Sequence, residues 1–201
     1  HGTNKRYITK AKIEHIDPSK SSVVEIMVNY LKELKYKPDS LISTIMLAGM
    51  EIDTNNFNTK TTAETYEAAA FLARNKANQI LKRKILKESR EAYLKRNELI
   101  KKSFMITKDV AICVLDNKVY YRNELAEISE DLLTLDKIEA AFTIGRTETN
   151  EVSISARSLG SYDVKKIMQS LNGGGHKNEA AAQLTGTTLE EVKQELIELI
   201  K

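Results

Sequence analysis

The segment Asn172-Gly173-Gly174-Gly175-His176 lies between a helix predicted at residues 163–171 and a strand predicted at residues 180–184. Because glycine lacks a side chain, the backbone N–H groups of this run are accessible and a phosphate group can approach them closely. The His176 imidazole could donate a hydrogen bond to a phosphate oxygen or act as an acid. The pattern alone leaves two alternatives open, a phosphate-binding loop and a flexible turn.

A second polar segment, residues 153–158, lies about fifteen residues upstream and reads Ser-Ile-Ser-Ala-Arg-Ser. The alternation of a strand would place Ser153, Ser155 and Arg157 on one face. The Arg157 guanidinium could bind a phosphate through two hydrogen bonds, helped by a serine hydroxyl. A solvated strand face with an ion pair is the alternative.

The sequence around these segments changes character near residue 104. Upstream, apolar residues recur at spacings of three and four and predict helices, whereas short apolar runs downstream predict strands alternating with helices. Helices are predicted to begin near residues 22, 40, 63, 77, 123, 163 and 188. Strands are predicted at residues 7–16, 104–107, 110–115, 119–122, 140–146, 152–157 and 180–184, with hairpin turns at 116–117 and 147–151. The whole pattern predicts an α/β protein.

The composition, 41% hydrophobic and 29% charged over 201 residues, is that of an ordinary folded protein and excludes wholesale disorder. No apolar stretch approaches the roughly 20 residues of a membrane span, and no signal-peptide pattern opens the sequence. The single cysteine, Cys113, excludes an internal disulfide and predicts a buried residue in a strand. We expect one or two domains in the cytoplasm, a reducing compartment.

Charge is unevenly distributed, although the net charge is only +3. Residues 82–103 contain nine basic and three acidic side chains, whereas residues 104–201 contain 11 basic and 16 acidic ones. This predicts a long basic helix over residues 77–102 that connects two domains. A solvated connector is favoured over a nucleic-acid surface because only Tyr93 could stack a base there, and duplex nucleic acid is not an expected partner.

A third candidate site follows an apolar helix, in the sequence Asp53-Thr54-Asn55-Asn56-Phe57. The Asp53 carboxylate could ligate a hard divalent cation. A helix cap with an Asx turn is the alternative.

Taken together, these motifs resemble the DHH phosphoesterase family. Residues 173–176 and 180–184, with the upstream run at 154–158, resemble the DHH-associated substrate-binding domain. Residues 47–49 and 53–57 resemble the last metal-binding motif of the DHH catalytic domain. The sequences of these motifs are most similar to those of the bacterial cyclic-di-AMP phosphodiesterases, and the resemblance covers residues 7–201.

The resemblance implies a truncated DHH catalytic domain with a parallel sheet at residues 1–81, a basic linker helix at 82–103 and a smaller DHH-associated domain with a mixed sheet at 104–201. It implies an intact enzyme that hydrolyses cyclic-di-AMP to pApA with two Mn²⁺ ions, which activate a water and clamp the phosphoryl oxygens. Asp53 is the implied metal ligand. His1 is either a second ligand, a histidine of the Asp-His-His signature that binds no metal, or a remnant foreign to the protein. The implied catalytic residues are Asp53 and His176. The implied substrate-binding residues are Ser155, Arg157, Ser158, Gly173, Gly174, Gly175, His176 and Asn178.

Two departures from the family pattern limit what is expected of this chain. The other metal-binding motifs are absent from the sequence, so the chain is expected to be a C-terminal fragment that is inactive alone. Asn178 also stands two residues after His176, whereas the family pattern has an asparagine three residues after the histidine; Glu179 takes that place here.

The expected partner is a cyclic dinucleotide or short nucleotide; a homodimer is left open. This segment is expected to make no membrane contact, although enzymes of this branch are usually membrane-anchored. The alternatives are a nanoRNA or pAp phosphoesterase of the sister branch and a non-catalytic nucleotide-binding module.

Overall fold

The computed structural model describes residues 15–148 and 150–201. The chain divides into two compact units, residues 1–88 and 89–201. The boundary falls within the basic segment that was predicted to be one long helix. Residues 77–102 instead form two helices, because the side chain of Ser89 accepts a hydrogen bond from the Ala92 N–H and starts a second helix there. The continuous linker helix predicted at residues 82–103 is therefore wrong.

The described part of the first unit consists of four helices, and each begins at a polar residue whose side chain accepts a backbone N–H. They are α1 (Val23–Glu33), α2 (Ser40–Asp53), α3 (Ala63–Arg74) and α4 (Gln79–Ile85). Buried apolar side chains of α1, α2 and α3 form one core. Within residues 15–88 there is no strand, so the parallel sheet predicted for residues 1–81 is not found in the described part of this unit. The strand predicted at 7–16 lies outside the described residues up to residue 14, and His15 and Ile16 are not in a strand.

A buried carboxylate ties the start of α1 to α3. Glu25 is 1% exposed, and its Oε2 accepts hydrogen bonds from the hydroxyls of Ser21 and Thr65 at 2.6 and 2.9 Å. Lys20 Nζ lies 3.1 Å from the other oxygen. Burial by itself would raise the pKa of Glu25, but the hydrogen bonds from Ser21, Thr65 and Lys20 hold it below its ordinary value. The ionised carboxylate is therefore part of this unit's packing.

The second unit is built on a six-stranded mixed sheet in the order β1-β2-β3-β4-β6-β5. The central pair β2 and β3 is parallel and all other pairs are antiparallel. The strands are β1 (Phe104–Met105), β2 (Val110–Val119), β3 (Ala140–Glu148), β4 (Glu151–Ser158), β5 (Gly174–Gly175) and β6 (Glu179–Thr185). The helices are α5 (Arg90–Ile100), α6 (Arg122–Leu133), α7 (Val164–Ser170) and α8 (Leu189–Ile200). The predicted α/β class and mixed sheet are confirmed.

The sheet separates two apolar cores, so the unit has three layers. Alternate residues of β2, β3 and β4 pack against α7 and α8 on one face, and the intervening residues of β2 and β3 pack against α5 and α6 on the other. Cys113 belongs to the second core, as predicted, and its Sγ lies 3.2 Å from the Leu99 carbonyl oxygen. Burial raises the pKa of this thiol to about 11, so it is not a reactive nucleophile at neutral pH.

Three local predictions in this unit are wrong, and one of them is the strand predicted at residues 119–122, since β2 ends at Val119 and a helix begins at Arg122. Residues 116–117 do not turn the chain but continue β2, where Asp116 Oδ1 accepts from the Lys118 N–H and the Tyr120 hydroxyl. Helix α6 begins at Arg122 rather than after an Asn123 cap, because the Glu124 carboxylate accepts the Tyr121 N–H at 2.8 Å. The hairpin predicted around residues 147–151 is confirmed by the antiparallel pair β3 and β4.

Candidate substrate-binding site

A groove of about 290 Å³ lies over β4, β6 and β5, beside helix α6. It exists because α6 packs on β3 and β4 and leaves the outer strands on that face accessible. The floor is formed by alternate residues of β4 paired in register with alternate residues of β6. These pairs are Ser153 with Gln183, Ser155 with Ala181, and Arg157 with Glu179. The face shared by Ser153, Ser155 and Arg157 is the one that strand alternation predicts.

Arg157 marks one end of the groove and is held in place by three acceptors. Its Nη1 lies 3.0 Å from the Ala156 carbonyl oxygen and 3.4 Å from Ser155 Oγ. Its Nε lies 3.2 Å from Oε2 of Glu130, which belongs to α6. The guanidinium is only partly buried, so its remaining N–H groups can reach an anionic ligand.

The other end of the groove contains a second arginine in a compact polar cluster. Arg122 Nη2 donates to Glu151 Oε1 at 2.8 Å, and the Thr147 and Ser153 hydroxyls reach the same oxygen at 2.6 and 3.2 Å. The hydrogen bond from Thr147, reinforced by Arg122, holds the pKa of Glu151 below its ordinary value although partial burial opposes this. The charge of Arg122 is thus largely balanced within the protein, unlike an arginine that faces solvent alone.

The three glycines differ in what they do. A Cβ on Gly173 would lie 2.2 Å from the Ala181 carbonyl oxygen, and one on Gly175 would lie 2.4 Å from the Glu179 carbonyl oxygen. Gly175 also has a φ of +143°. These two glycines let the backbone of β5 approach β6 closely. A Cβ on Gly174 would meet nothing within 4 Å, and Gly174 lines the groove with Gly175.

The other predicted binding residues surround this groove without lining it. The Ser158 hydroxyl is buried and donates to the Tyr162 carbonyl oxygen at 2.7 Å. The Asn178 carbonyl oxygen accepts the Ser158 N–H at 2.9 Å. His176 is exposed in the turn between β5 and β6, where its backbone N–H donates to the Glu179 carbonyl oxygen. Ser155, Arg157, Gly174 and Gly175 are therefore the predicted residues that the structure brings together in the groove.

Sequence reasoning assigned no role to Arg122 and Gln183, which line the groove, or to Glu130, which pairs with Arg157. Gln183 belongs to the motif at residues 180–184, and strand alternation with the buried Ala182 would have placed it on the face of Arg157 and Ser155. Arg122 and Glu130 carry no comparable signal, because their position depends on how α6 lies across the sheet.

The predicted metal ligand Asp53 is exposed at the last position of α2. The next residues turn sharply: Asn55, Asn56 and Phe57 have φ values of +46°, +56° and +64°. Across residues 15–148 and 150–201, no three His, Cys, Asp or Glu side chains gather in a group that could hold a metal ion. The described residues thus do not by themselves fit a two-metal centre, and His1 lies outside them.

No helix in the described ranges combines the length and apolar character needed to cross a membrane.

Comparison with known protein families identifies the domain that carries the groove. Residues 108–201 match the family model of the DHHA1 domain. The resemblance of the sequence motifs to DHH-family proteins is thereby confirmed.

Similarity to particular proteins extends over the whole chain. The chain is 33% identical over 201 residues to the cyclic-di-AMP phosphodiesterase GdpP of Bacillus subtilis, an alignment that covers 98% of the chain and 30% of that protein. It is 36% identical over 203 residues to the GdpP protein of Geobacillus thermodenitrificans, covering 100% of the chain and 31% of that protein. The chain thus spans about a third of the length of these relatives.

The fold also matches a solved structure. An exopolyphosphatase-related protein from Bacteroides fragilis aligns with a TM-score of 0.77 and 20% sequence identity, covering 94% of this chain and 61% of that one. This likeness supports the architecture of the chain.

Proposed function

We propose that this chain is the C-terminal part of a longer, membrane-anchored phosphodiesterase that hydrolyses cyclic-di-AMP to pApA in the cytoplasm, and that its second unit binds the substrate. The observation that carries the proposal is the groove beside α6, which places Arg157, serine hydroxyls and a glycine strand on one surface. The similarity to two proteins named as cyclic-di-AMP phosphodiesterases supports the choice of substrate.

The chemistry of the groove suits one phosphate of a dinucleotide. An arginine fork donates parallel hydrogen bonds to phosphate oxygens, and Arg157 stands beside the Ser155 hydroxyl. Gly174 lines the same surface without a side chain in the way. At about 290 Å³ the groove is near the lower limit of small-molecule sites, roughly 300–1,000 Å³. It therefore accommodates part of a dinucleotide and leaves the other nucleotide outside.

Hydrolysis is assigned to the longer enzyme. Two-metal phosphodiester hydrolysis needs several ligands around each ion, and the described residues offer no such group. Manganese dependence and a ligand role for Asp53 belong to the proposal for the longer enzyme. His176 is exposed near the groove. We assign it a contact with the reacting phosphate of the substrate in the longer enzyme.

Calorimetric titration of the 201-residue chain tests the binding step. We expect cyclic-di-AMP to bind and to bind more tightly than pAp or a short RNA. Tighter binding of pAp or short RNA would favour the sister branch instead. The absence of binding by every nucleotide would overturn the role of the groove.

Turnover separates an enzyme from a non-catalytic binding module. With Mn²⁺ present, we expect the longer enzyme to convert cyclic-di-AMP to pApA and the 201-residue chain to do so at a negligible rate. Turnover by the chain alone at about 1 s⁻¹ or more, an ordinary enzymatic rate, would contradict this division of roles. An inactive longer enzyme that still binds the nucleotide would support the binding module.

A further inference from the structure

The Gln183 side chain occupies the groove with its amide available. Gln183 is exposed and lines the groove, whereas its neighbour Ala182 is fully buried on the opposite face. Over the described ranges of the chain, the structure records no hydrogen bond to the Gln183 amide. The polar side chains nearby behave differently, because Ser153 and Arg122 are already bonded to Glu151.

The groove has two chemically different ends. Gln183 pairs in register with Ser153 near one end, and Arg157 pairs with Glu179 at the other. Ser153 and Arg157 are four positions apart on β4, so their backbones lie roughly 13 Å apart along the strand. The middle of the groove is formed by small or apolar residues, Ala181 on the floor with Leu125 and Ala126 on α6. A phosphate at Arg157 would therefore direct the attached nucleoside along an apolar surface towards Gln183.

A primary amide matches one edge of adenine. Its oxygen can accept from the N6 amino group while its nitrogen donates to N7, which is the bidentate pairing that glutamine makes with adenine. Guanine presents two acceptors, O6 and N7, on the same edge, so the amide oxygen would meet an acceptor there. An unpaired glutamine at the far end of a phosphate-binding groove thus favours adenine over guanine.

We propose that Gln183 is a specificity-determining residue that reads the N6–N7 edge of an adenine base placed in the groove. The inference rests on the proposed function, since it takes the groove to bind a nucleotide through Arg157. It adds that the groove selects the base of the nucleotide, and it assigns this selection to the Gln183 side chain.

The test compares three ligands on the 201-residue chain by calorimetric titration. They are cyclic-di-AMP, cyclic-di-GMP and a cyclic-di-AMP analogue in which both adenines are 7-deaza-adenine, which lacks the N7 acceptor. We expect cyclic-di-AMP to bind about tenfold more tightly than either of the others, the discrimination that one bidentate base contact provides. In Gln183→Leu the ratio between cyclic-di-AMP and the deaza analogue should fall to about one.

Gln169→Leu is the matched control, because Gln169 is exposed on α7 and does not line the groove. It should retain the ratio of the unmodified chain. Equal ratios in Gln183→Leu and the unmodified chain would overturn the role of Gln183 and leave the proposed function standing. Binding of none of the three ligands would overturn both. The comparison of cyclic-di-AMP with its deaza analogue needs no substitution, so equal affinities there overturn the proposal even if Gln183→Leu does not fold.

Discussion

Arg157 and Glu130 form an ion pair that joins β4 to α6, with the guanidinium Nε 3.2 Å from the carboxylate Oε2. The pair lies at the side of the groove and fixes the orientation of the arginine before a ligand arrives. Both side chains are partly exposed, so the pair itself adds little to stability. Its importance lies in positioning a cation that still has N–H groups free to meet a phosphate.

Arg157→Ala should weaken cyclic-di-AMP binding by about 1.5–3 kcal/mol, the usual contribution of a hydrogen bond to a charged group. The substitution removes the cation at one end of the groove while Ser155 and the glycine strand remain. Titration calorimetry of the 201-residue chain measures the change. Arg90→Ala is the matched control, because Arg90 is exposed on α5 outside the groove. Equal affinities of the two variants would place the phosphate elsewhere.

Glu130→Gln should have the opposite effect. The substitution keeps the size of the side chain and an oxygen that can accept from Arg157 Nε, so the arginine stays oriented, but it removes a negative charge that competes with the phosphate for Arg157 and repels the phosphate. We expect affinity for cyclic-di-AMP to rise by about two- to fivefold, in keeping with the energy of a partly exposed ion pair. The gain should shrink at high salt, which screens the charges. Weaker binding would show that orienting Arg157 matters more than freeing it.

Substitutions in the glycine run should affect the stability of the fold and the binding of nucleotide at different positions. Gly173→Ala and Gly175→Ala place a methyl group against the backbone of β6, so each should cost about 1–3 kcal/mol. For a domain of this size that corresponds to a fall of several degrees in melting temperature, measured by circular dichroism. Gly174→Ala has open space and should keep its melting temperature. Gly174→Val should also fold and should weaken nucleotide binding, because its side chain enters the groove.

Acid should selectively remove the stabilisation that Glu25 provides. Its pKa in the folded chain lies below the ordinary value of 4.5, so its contribution is fully present above that pH and disappears as the pH falls through the folded pKa. Glu25→Gln should lower the free energy of unfolding by about 1–3 kcal/mol at neutral pH. The difference should shrink near pH 3, measured by urea unfolding. Glu33→Gln, at an exposed position of α1, should show no such trend.

Features decided by near neighbours in the chain were predictable. Ser22, Asp163 and Thr188 start helices as expected, because a short polar side chain can satisfy the N–H groups that follow it. The alternation of Ser153, Ser155 and Arg157 likewise needed only the geometry of a strand. The same local reasoning failed at Ser89, where a capping residue lies inside a segment otherwise rich in helix formers.

Features decided by distant partners were not predictable. Asp116 and Asn117 resemble a turn, yet β2 continues through them, and its parallel pairing with β3 is interrupted after Val114 and resumes at Val119. The groove itself depends on the neighbour order β4-β6-β5 and on the placement of α6. Arg122 therefore joins the site by packing, with no pattern in the sequence to mark it.

The sheet of the second unit ends on both sides in a strand of two residues, β1 and β5. Such short borders offer few unpaired backbone groups to the strand of another molecule, so they make a poor template for extending the sheet. On the β5 side the border is glycine alone, which further weakens strand pairing. The unit can therefore have an accessible groove next to its outermost strands without promoting the pairing of strands between molecules into fibres at high concentration.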